Sequence, residues 1–482
     1  MTRLARPTPH ASALALAAAF VLLACLRGLD HDESQYVAAA RLVADGLLPY
    51  RDFAYLQTPL QPFVLAPVAA LAGDWSWAAL RIVNALFGAT VVIACWRAMR
   101  EAGVTHRTAT AAAGLLAACD ILLFSAGTAR NDALPAALLA LALIPILRAG
   151  RGEGTRTSAM LAGLLLAGAA TAKISYALPA AAYGLYALLD RRHRPGWIAI
   201  GAMPALGFML WLWTIAPEGF WFGTVTFPAR APAEYYLAEG RAWKLSWGAK
   251  ALDTAKFLAL GPAIVALAYL ARGQRAGGVL VWLFAAGAIA ALLPAPTWRQ
   301  YLLPALPPLF VLLALRWQAA PPSRGWRIAM GVFALAGLAP SLVAATSRDG
   351  LMTAHRETRA LAALGLSGRV ATLSPQYLPR ALAPDPRFAT GPFYFRSTGL
   401  LDGAVERRLH LVSRARIGAA FERDPPDFIL VGGEGGWTSG NAGIDRVLED
   451  WAIARGWRRI GPPGARLRLY AASARRPSIA SR

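Results

Sequence analysis

Apolar runs long enough to cross a bilayer recur along this chain from Ala11 to about Ala345. The hydrocarbon core of a membrane is about 30 Å thick, and a helix needs roughly 20 apolar residues to span it. The runs lack the alternation of apolar and polar residues that strands of a membrane barrel would show. Only 16% of the 482 residues are charged, against about a quarter in a soluble domain. The sequence therefore predicts a polytopic α-helical membrane protein.

The formal net charge of +22 would suit a nucleic-acid-binding protein, but its distribution argues against one. Many of the arginines lie in short segments between apolar runs, where the positive-inside rule places them in the cytoplasm. The three cysteines, Cys25, Cys95 and Cys119, all lie within apolar runs, so we expect neither a disulfide framework nor a zinc site. We expect the membrane, and no nucleic acid, as a partner.

The arginine-rich segments predict about eleven transmembrane helices, with a cytoplasmic N-terminus and an external C-terminus. The stretch 59–72 contains three prolines and is predicted to be interfacial or re-entrant. The stretch 158–189 has arginines at both ends and should form a hairpin that breaks near 171–176. The predicted spans are 11–29, 76–96, 108–124, 133–147, the two arms of 158–189, 197–216, 251–270, 277–293, 302–315 and 328–345.

The composition changes at Ser347, beyond which charges of both signs appear throughout. The patterns of 369–374 and 427–432 are typical of short strands, and those of 351–364 and 441–455 of helices. We predict a transmembrane domain over residues 1–346 and a small extracytoplasmic α/β domain over residues 347–482. The simplest role for the second domain is to cover the outer face of the first.

Polar residues that are unusual beside apolar runs fall on one side of the predicted topology, the outer side. They are Asp30, Asp32, Glu33, Arg130, Asp132, Lys173, Arg299 and Tyr301. Each has an ordinary explanation, since acids cap helices, neighbouring charges form loop ion pairs, and lysine, arginine and tyrosine anchor helices at interfaces. Their collection on one face instead predicts a site at the membrane surface, where carboxylates and cations act on a lipid phosphate.

The motifs that contain these residues resemble, in type and order, those of the bacterial C-type glycosyltransferases. That superfamily includes relatives of the protein O-mannosyltransferases and of the aminoarabinose lipid A transferases. The resemblance covers about the first 320 residues. Gln300 separates Arg299 from Tyr301, which are adjacent in the commonest family pattern, and this leaves open which of the two takes the family role. The matching segments are Asp32-Glu33-Ser34-Gln35-Tyr36, Pro59-Leu60-Gln61-Pro62, Ala129-Arg130-Asn131-Asp132-Ala133, Ala172-Lys173 and Arg299-Gln300-Tyr301-Leu302-Leu303-Pro304.

The resemblance implies transfer of a sugar from a polyprenyl-phosphate carrier to an acceptor by an inverting displacement. The acceptor, a lipid, glycan or protein, would lie on the extracytoplasmic side of a bacterial inner membrane. By the same resemblance, Asp32 is the base or acceptor-orienting carboxylate, Glu33 its neighbour or partner, Asp132 a second acid, and Lys173, Arg130, Arg299 and Tyr301 hold the donor phosphate.

A divalent cation is possible in such a site, but the sequence shows no diagnostic metal spacing. The alternatives are an ion-coupled transporter or lipid flippase, and a non-catalytic envelope-assembly protein. The placement of the charges at one face, and the lack of a convincing internal repeat in the sequence, argue against a transporter.

The predicted topology can be tested with reporter fusions. A reporter fused after Arg194 should read as cytoplasmic, because the basic residues there follow the second arm of the hairpin. A fusion after Gly127, in a predicted outer turn, is the matched external control. An external reading after Arg194 would contradict the hairpin and scatter the predicted site over both faces.

Overall fold

The computed structural model describes residues 9–272, 278–346, 350–397, 399–434 and 443–472. It is mostly helical and contains one small sheet near the C-terminus. The chain forms two compact units. The first unit comprises Met1–Arg27, Arg81–Phe208 and Lys244–Ser347, and the second comprises Gly28–Leu80, Met209–Trp243 and Arg348–Arg482.

Within the described residues, five helical stretches are long and apolar enough to cross a membrane, or up to seven if each of two bent helix pairs is one span. Every predicted span has a counterpart among these stretches and the shorter apolar helices. The chain is a multi-pass membrane protein, while the number of crossings and their direction stay predictions. The stretches are Leu60–Glu101, Ala133–Gly150, Pro195–Ile215, Arg299–Ala319 and Arg324–Ala345; the bent pairs are His106–Ala117 with Asp120–Ala126 and Trp247–Ala259 with Ala263–Ala271; the shorter helices are His10–Leu26, Arg156–Ala172, Ile174–Leu189 and Val279–Leu292.

Each of the predicted spans 108–124 and 251–270 corresponds to a bent pair of helices. The first is bent by 66° and the second by 100°. The second break follows from its sequence: Gly261 adopts a φ of +144°, which an L side chain disfavours, and Pro262 has no N–H to donate to a helical hydrogen bond.

The two helix breaks contact each other within the first unit. The backbone N–H of Asp120 donates to the carbonyl of Leu260 over 3.0 Å. A Cβ at Gly261 would lie 2.9 Å from the Cα of Cys119, so only glycine allows this approach. Each break therefore supplies a hydrogen-bonding group that a continuous helix would have used internally.

The predicted hairpin break within 158–189 is confirmed. Helix Arg156–Ala172 ends at Lys173, whose backbone is extended, and a short 3₁₀ turn, Ile174–Tyr176, leads into helix Ala177–Leu189. Thr155 starts the first arm with a reciprocal capping box to Ser158. The break leaves Lys173 between two helix ends, where its side chain is not constrained to a lipid-facing helix surface.

The second unit contains shorter helices. The aromatic segment that follows residue 216 is largely helical. The predicted helix 351–364 is confirmed, and helix Arg446–Ala454 confirms most of 441–455, of which 441 and 442 lie outside the described residues. The helices are Glu33–Ala44, Leu60–Ala72, Pro217–Trp221, Phe227–Ala238, Leu351–Ala362, Pro392–Phe395, Gly403–Arg408, Ile417–Arg423 and Arg446–Ala454.

The sheet of the second unit has five strands: β1 Gly368–Ala371, β2 Leu382–Pro384, β3 Phe428–Val431, β4 Arg458–Ile460 and β5 Arg468–Ala471. Their order in the sheet is β2-β1-β3-β5-β4. Strand β1 is parallel to both β2 and β3, while β5 pairs antiparallel with β3 and β4. The sequence predicted β1 and β3, of which β3 is apolar and fully buried, and missed the three others.

Arg41 connects helix Glu33–Ala44 to the segment that joins β1 and β2. Its side chain is 2% exposed, and its guanidinium donates to the carbonyls of Leu378, Pro379 and Leu382 over 2.5, 2.9 and 2.9 Å. Burial lowers the pKa of Arg41 to about 10, so the group stays charged at neutral pH. A charged donor that serves three buried carbonyls makes this contact important for the folding of the second unit.

Replacing Arg41 by methionine should therefore destabilise the second unit by about 3 kcal/mol, because three buried carbonyls lose their donor. Thermal unfolding and limited proteolysis of the purified protein in detergent would measure the effect. Arg455→Met is the matched control, since its side chain is 49% exposed and pairs at the surface with Glu422. Equal stability of the two variants would contradict this role for Arg41.

Candidate functional site

Asp132 is the central carboxylate of the first unit. Its side chain is 1% exposed and forms ion pairs with Lys173 and with Arg130, whose Nε lies 3.2 Å from Oδ2. Asp132 directly precedes helix Ala133–Gly150, and Lys173 directly follows helix Arg156–Ala172. Because both residues lie at helix ends, the chain brings their charges together without exposing them to lipid. The sequence predicted all three residues as parts of one site.

Three arginines surround the ring of Phe124 in the same unit. The guanidinium carbons of Arg299, Arg27 and Arg130 lie 3.5, 4.8 and 5.5 Å from the ring centroid. Attraction between cations and an aromatic face holds arginines in such positions. The ring thus connects Arg299 with Arg130, and Arg27 is a member of the cluster that the sequence did not indicate.

The ammonium group of Lys173 lies 5.4 Å from the centroid of the Tyr301 ring. Tyr301 and Arg299 both belong to the 3₁₀ helix Arg299–Ala305, which explains why a single motif contributes to two contacts. Arg299 and Tyr301 therefore both lie in this group of charged and aromatic side chains. Gln300, which separates them in the sequence, is buried.

Asp120 was not predicted, and it is the partner of Arg299. Its side chain is 1% exposed; Oδ2 accepts from Arg299 over 2.9 Å, and Oδ1 has no hydrogen-bond partner among the described residues. Asp120 is the sole charged residue in the predicted span 108–124. A carboxylate inside an apolar run was the signal that could have identified it.

Cations, carboxylates and aromatic rings of the first unit meet in this cluster. Arg27, Arg130, Lys173 and Arg299 contact Phe124, Tyr301, Asp120 or Asp132. We call this group the Phe124 cluster; its composition suits a phosphate, which arginine and lysine bind through charge-assisted hydrogen bonds.

Glu33 in the second unit uses both carboxylate oxygens for internal contacts. It is fully buried; Oε1 accepts from the Trp77 indole over 3.0 Å, and Oε2 accepts from the backbone N–H of Asp30 over 3.1 Å. These bonds fix the segment that precedes helix Glu33–Ala44. The arrangement favours a structural role for Glu33.

Asp32 differs from its neighbour. It occupies the N-cap position of helix Glu33–Ala44, but its side chain makes no capping hydrogen bond. Its Oδ1 lies 3.0 Å from Nε2 of His31, and the side chain is 20% exposed. Burial alone would lower the pKa of His31, but the Asp32 carboxylate, with a further contribution from Asp30, raises it above the ordinary value. Helix capping therefore does not explain Asp32.

Asp30, His31 and Asp32 could together hold a cation. Each offers one ligand atom, and these atoms lie within 4.8 Å of one another. Two carboxylates and one imidazole suit a first-row divalent metal, although His31 would have to bind it in the neutral form. The signal for this cation site in the sequence was a run of three consecutive residues whose side chains can bind metals. A search for metal-binding motifs with spaced ligands does not detect such a run.

The predicted residues thus fall into two groups that the structure describes separately. Arg130, Asp132, Lys173, Arg299 and Tyr301 lie in the Phe124 cluster of the first unit, and Asp32 and Glu33 lie beside His31 in the second. Their convergence on one face of a membrane stays a prediction.

Comparison with known proteins agrees with the motifs. Residues 56–221, about a third of the chain, match the family described as dolichyl-phosphate-mannose-protein mannosyltransferase. The structure is similar to that of ArnT from Cupriavidus metallidurans bound to undecaprenyl phosphate, with a TM-score of 0.63 and 14% identity over 96% of this chain and 98% of that one. The apo form of the same ArnT gives a TM-score of 0.64 and 14% identity over 95% and 97% of the two chains. No curated protein sequence matches.

The resemblance to C-type glycosyltransferases that the sequence indicated is confirmed by these two findings, which rest on different properties. The family match depends on residues, and it includes Arg130, Asp132 and Lys173. The likeness to ArnT, at 14% identity, shows the fold and covers nearly the whole chain, including the C-terminal part that the motifs do not reach.

The charge balance of the Phe124 cluster can be tested by stability. Asp132→Asn should destabilise the protein by about 3–5 kcal/mol, because Lys173 and Arg130 then remain buried without their carboxylate. Adding Lys173→Met should restore part of the lost unfolding temperature in detergent, since it removes one uncompensated charge. Asp190→Asn, which affects the surface pair with Arg192, is the control. A double variant less stable than Asp132→Asn would contradict this account.

Proposed function

We propose that this protein is a membrane glycosyltransferase that moves a sugar from a polyprenyl-phosphate carrier to an acceptor on the extracytoplasmic side of a bacterial inner membrane. The observation that carries the proposal is the Phe124 cluster, in which Arg130, Lys173 and Arg299 are held close together by two buried carboxylates and two aromatic rings. The fold is shared with a protein that binds undecaprenyl phosphate, and the matched family is named for a dolichyl-phosphate sugar donor. The donor sugar is a hexose or a pentose, and the acceptor a lipid, glycan or protein.

The Phe124 cluster is assigned to the donor phosphate. Arg130, Lys173 and Arg299 would hold its oxygens and neutralise the charge that develops as the phosphate leaves. Tyr301 contributes by positioning the Lys173 ammonium group. Asp132 orients Lys173 and Arg130. In this proposal it is the second acidic residue of the site, and its role is to keep those two cations charged and fixed in position.

Asp32 is assigned to the acceptor. In an inverting displacement, the acceptor oxygen or nitrogen attacks the anomeric carbon, the bond from that carbon to the phosphate oxygen breaks, and the acceptor proton goes to a carboxylate. Asp32 lies beside His31 and is partly exposed, whereas Glu33 is fully buried and both of its oxygens accept internal hydrogen bonds. We therefore propose Asp32 as the base or acceptor-orienting group, with Glu33 as its structural neighbour.

A divalent cation bound by Asp30, His31 and Asp32 would be an additional way to orient the acceptor.

We place residues 347–482 outside the cytoplasm together with the segment that contains Asp32. This proposed orientation puts the N-terminus in the cytoplasm.

Asp32→Asn should abolish transfer while the protein still folds, because the amide cannot accept the proton. The measurement is release of polyprenyl phosphate from a radiolabelled polyprenyl-phosphate hexose or pentose, with cell-envelope fractions as the acceptor source. Asp45→Asn is the control, since Asp45 lies in the same segment and forms a surface pair with Arg380. Full transfer by Asp32→Asn would refute the catalytic assignment.

The same preparation separates the alternatives. A flippase or transporter in vesicles would move the labelled lipid across the bilayer and leave the sugar–phosphate bond intact. A non-catalytic assembly protein would show neither activity, its Asp32→Asn variant would have no phenotype, and deletion of residues 347–482 would remove its function in cells.

A further inference from the structure

A cavity of about 210 Å³ lies in the second unit and is lined by residues between 387 and 424. Helix Gly403–Arg408, the turn that follows it and helix Ile417–Arg423 contribute to its walls. Leu411 and Val412 also line the cavity and are almost completely buried, so part of its surface is apolar. None of its lining residues belongs to either group of site residues described above.

Buried carboxylates hold two of the arginines that line this cavity. Asp385 is fully buried, and its oxygens accept from Nε and Nη2 of Arg387 over 3.0 and 2.5 Å. The same guanidinium group lies 5.5 Å from the centroid of the Phe421 ring. Glu406 is also buried and lies 3.2 Å from Nη1 of Arg416. These contacts fix both guanidinium groups in advance, which reduces the entropy that a ligand would lose in ordering them.

The two carboxylates that line the cavity are both engaged with other groups. Glu406, besides its contact with Arg416, accepts from the Tyr394 hydroxyl over 2.9 Å. Asp424 accepts from both terminal nitrogens of Arg369 over 2.8 and 2.6 Å, and Arg369 does not line the cavity. Because cations already balance these carboxylates, their repulsion of an incoming anion is reduced.

Arg407, Arg423 and His410 complete the basic lining of the cavity. The guanidinium groups of Arg407 and Arg423 are exposed and have no ion-pair or hydrogen-bond partner among the described residues. His410 has a φ of +53° just beyond the end of helix Gly403–Arg408, a position that glycine usually occupies. A histidine held there at a cost in backbone strain suits a side chain that has a task in the cavity.

We propose that this cavity binds the phosphate group of a small organic phosphate. Four arginines line it, and arginine binds phosphate through charge-assisted hydrogen bonds. A phosphate monoester offers three strong acceptor oxygens to donors on different walls, whereas a carboxylate offers only two. The apolar surface of Leu411 and Val412 is available to the carbon skeleton that carries the phosphate. A free glycerol or sugar phosphate and the headgroup of a phosphomonoester lipid share this chemistry.

Titration calorimetry of the purified protein in a neutral detergent tests the site, with sn-glycerol 3-phosphate as the probe and NaCl holding the ionic strength constant. We expect saturable binding of this probe and none of glycerol. Arg407→Gln and Arg423→Gln should each weaken binding about tenfold, because each removes one charged donor. Arg414→Gln is the matched control and should bind within about twofold of wild type, since Arg414 is exposed in the same part of the chain but does not line the cavity.

A second probe distinguishes the two sources of the phosphate. Dihexanoyl phosphatidic acid carries a phosphomonoester headgroup, and dihexanoyl phosphatidylcholine is its control without net charge. Tighter binding of phosphatidic acid than of glycerol 3-phosphate, lost in the double variant Arg407→Gln/Arg423→Gln, would support the site and identify a lipid headgroup as its ligand. Equal or weaker binding of phosphatidic acid, with glycerol 3-phosphate binding lost in the double variant, would support the site and identify a soluble phosphate.

Three results would overturn the proposal. The first is no saturable binding of either probe. The second is binding that the double variant keeps, because the phosphate would then bind elsewhere, for example at the Phe124 cluster, which these substitutions leave unchanged. The third is an equal loss in Arg414→Gln, because binding would then depend only on the charge of the surface. Each result leaves the proposed sugar transfer intact, since the cavity shares no residue with the donor or acceptor groups.

Discussion

The pairing of buried charges in the first unit is the constraint on which the rest of the proposed donor site depends. A carboxylate as buried as Asp132 is stable only when cations are held against it, because an unpaired ion in apolar surroundings is far less well solvated than in water. Lys173 and Arg130 meet this need, and the hairpin break at Lys173 is what allows its side chain to do so. A continuous helix through 158–189 would leave the same lysine on a helix surface.

The helix breaks have the same physical origin. Asp120 begins a helix where a preceding one has ended, and its N–H is satisfied by the carbonyl of Leu260 at the other break. An irregular backbone at such a position is tolerated only when other parts of the protein complete its hydrogen bonds. The break places the Asp120 carboxylate against Arg299, and Phe124, one turn later, receives the guanidinium groups of three arginines.

The neighbouring acids of the second unit show how surroundings assign different roles to similar residues. Glu33 accepts from an indole and from a backbone amide, and these bonds hold the start of a helix. Asp32, one residue earlier, contacts His31 and stays partly exposed.

The sequence by itself determined the membrane class, the positions of the apolar helices, the hairpin break, two of the strands, and the resemblance to C-type glycosyltransferases. These follow from local composition, periodicity and short motifs, which need no knowledge of distant contacts. It also indicated Arg130, Asp132 and Lys173 as parts of one site, because unusual polar residues at helix ends are visible in the sequence. Only the tertiary structure decided that Asp120 pairs with Arg299, that Arg27 joins the Phe124 cluster, and that Glu33 is fully buried with both oxygens hydrogen-bonded while Asp32 stays partly exposed beside His31. Each of these depends on which distant groups share a buried space, and burial sets the cost of leaving a charge or a hydrogen bond unpaired.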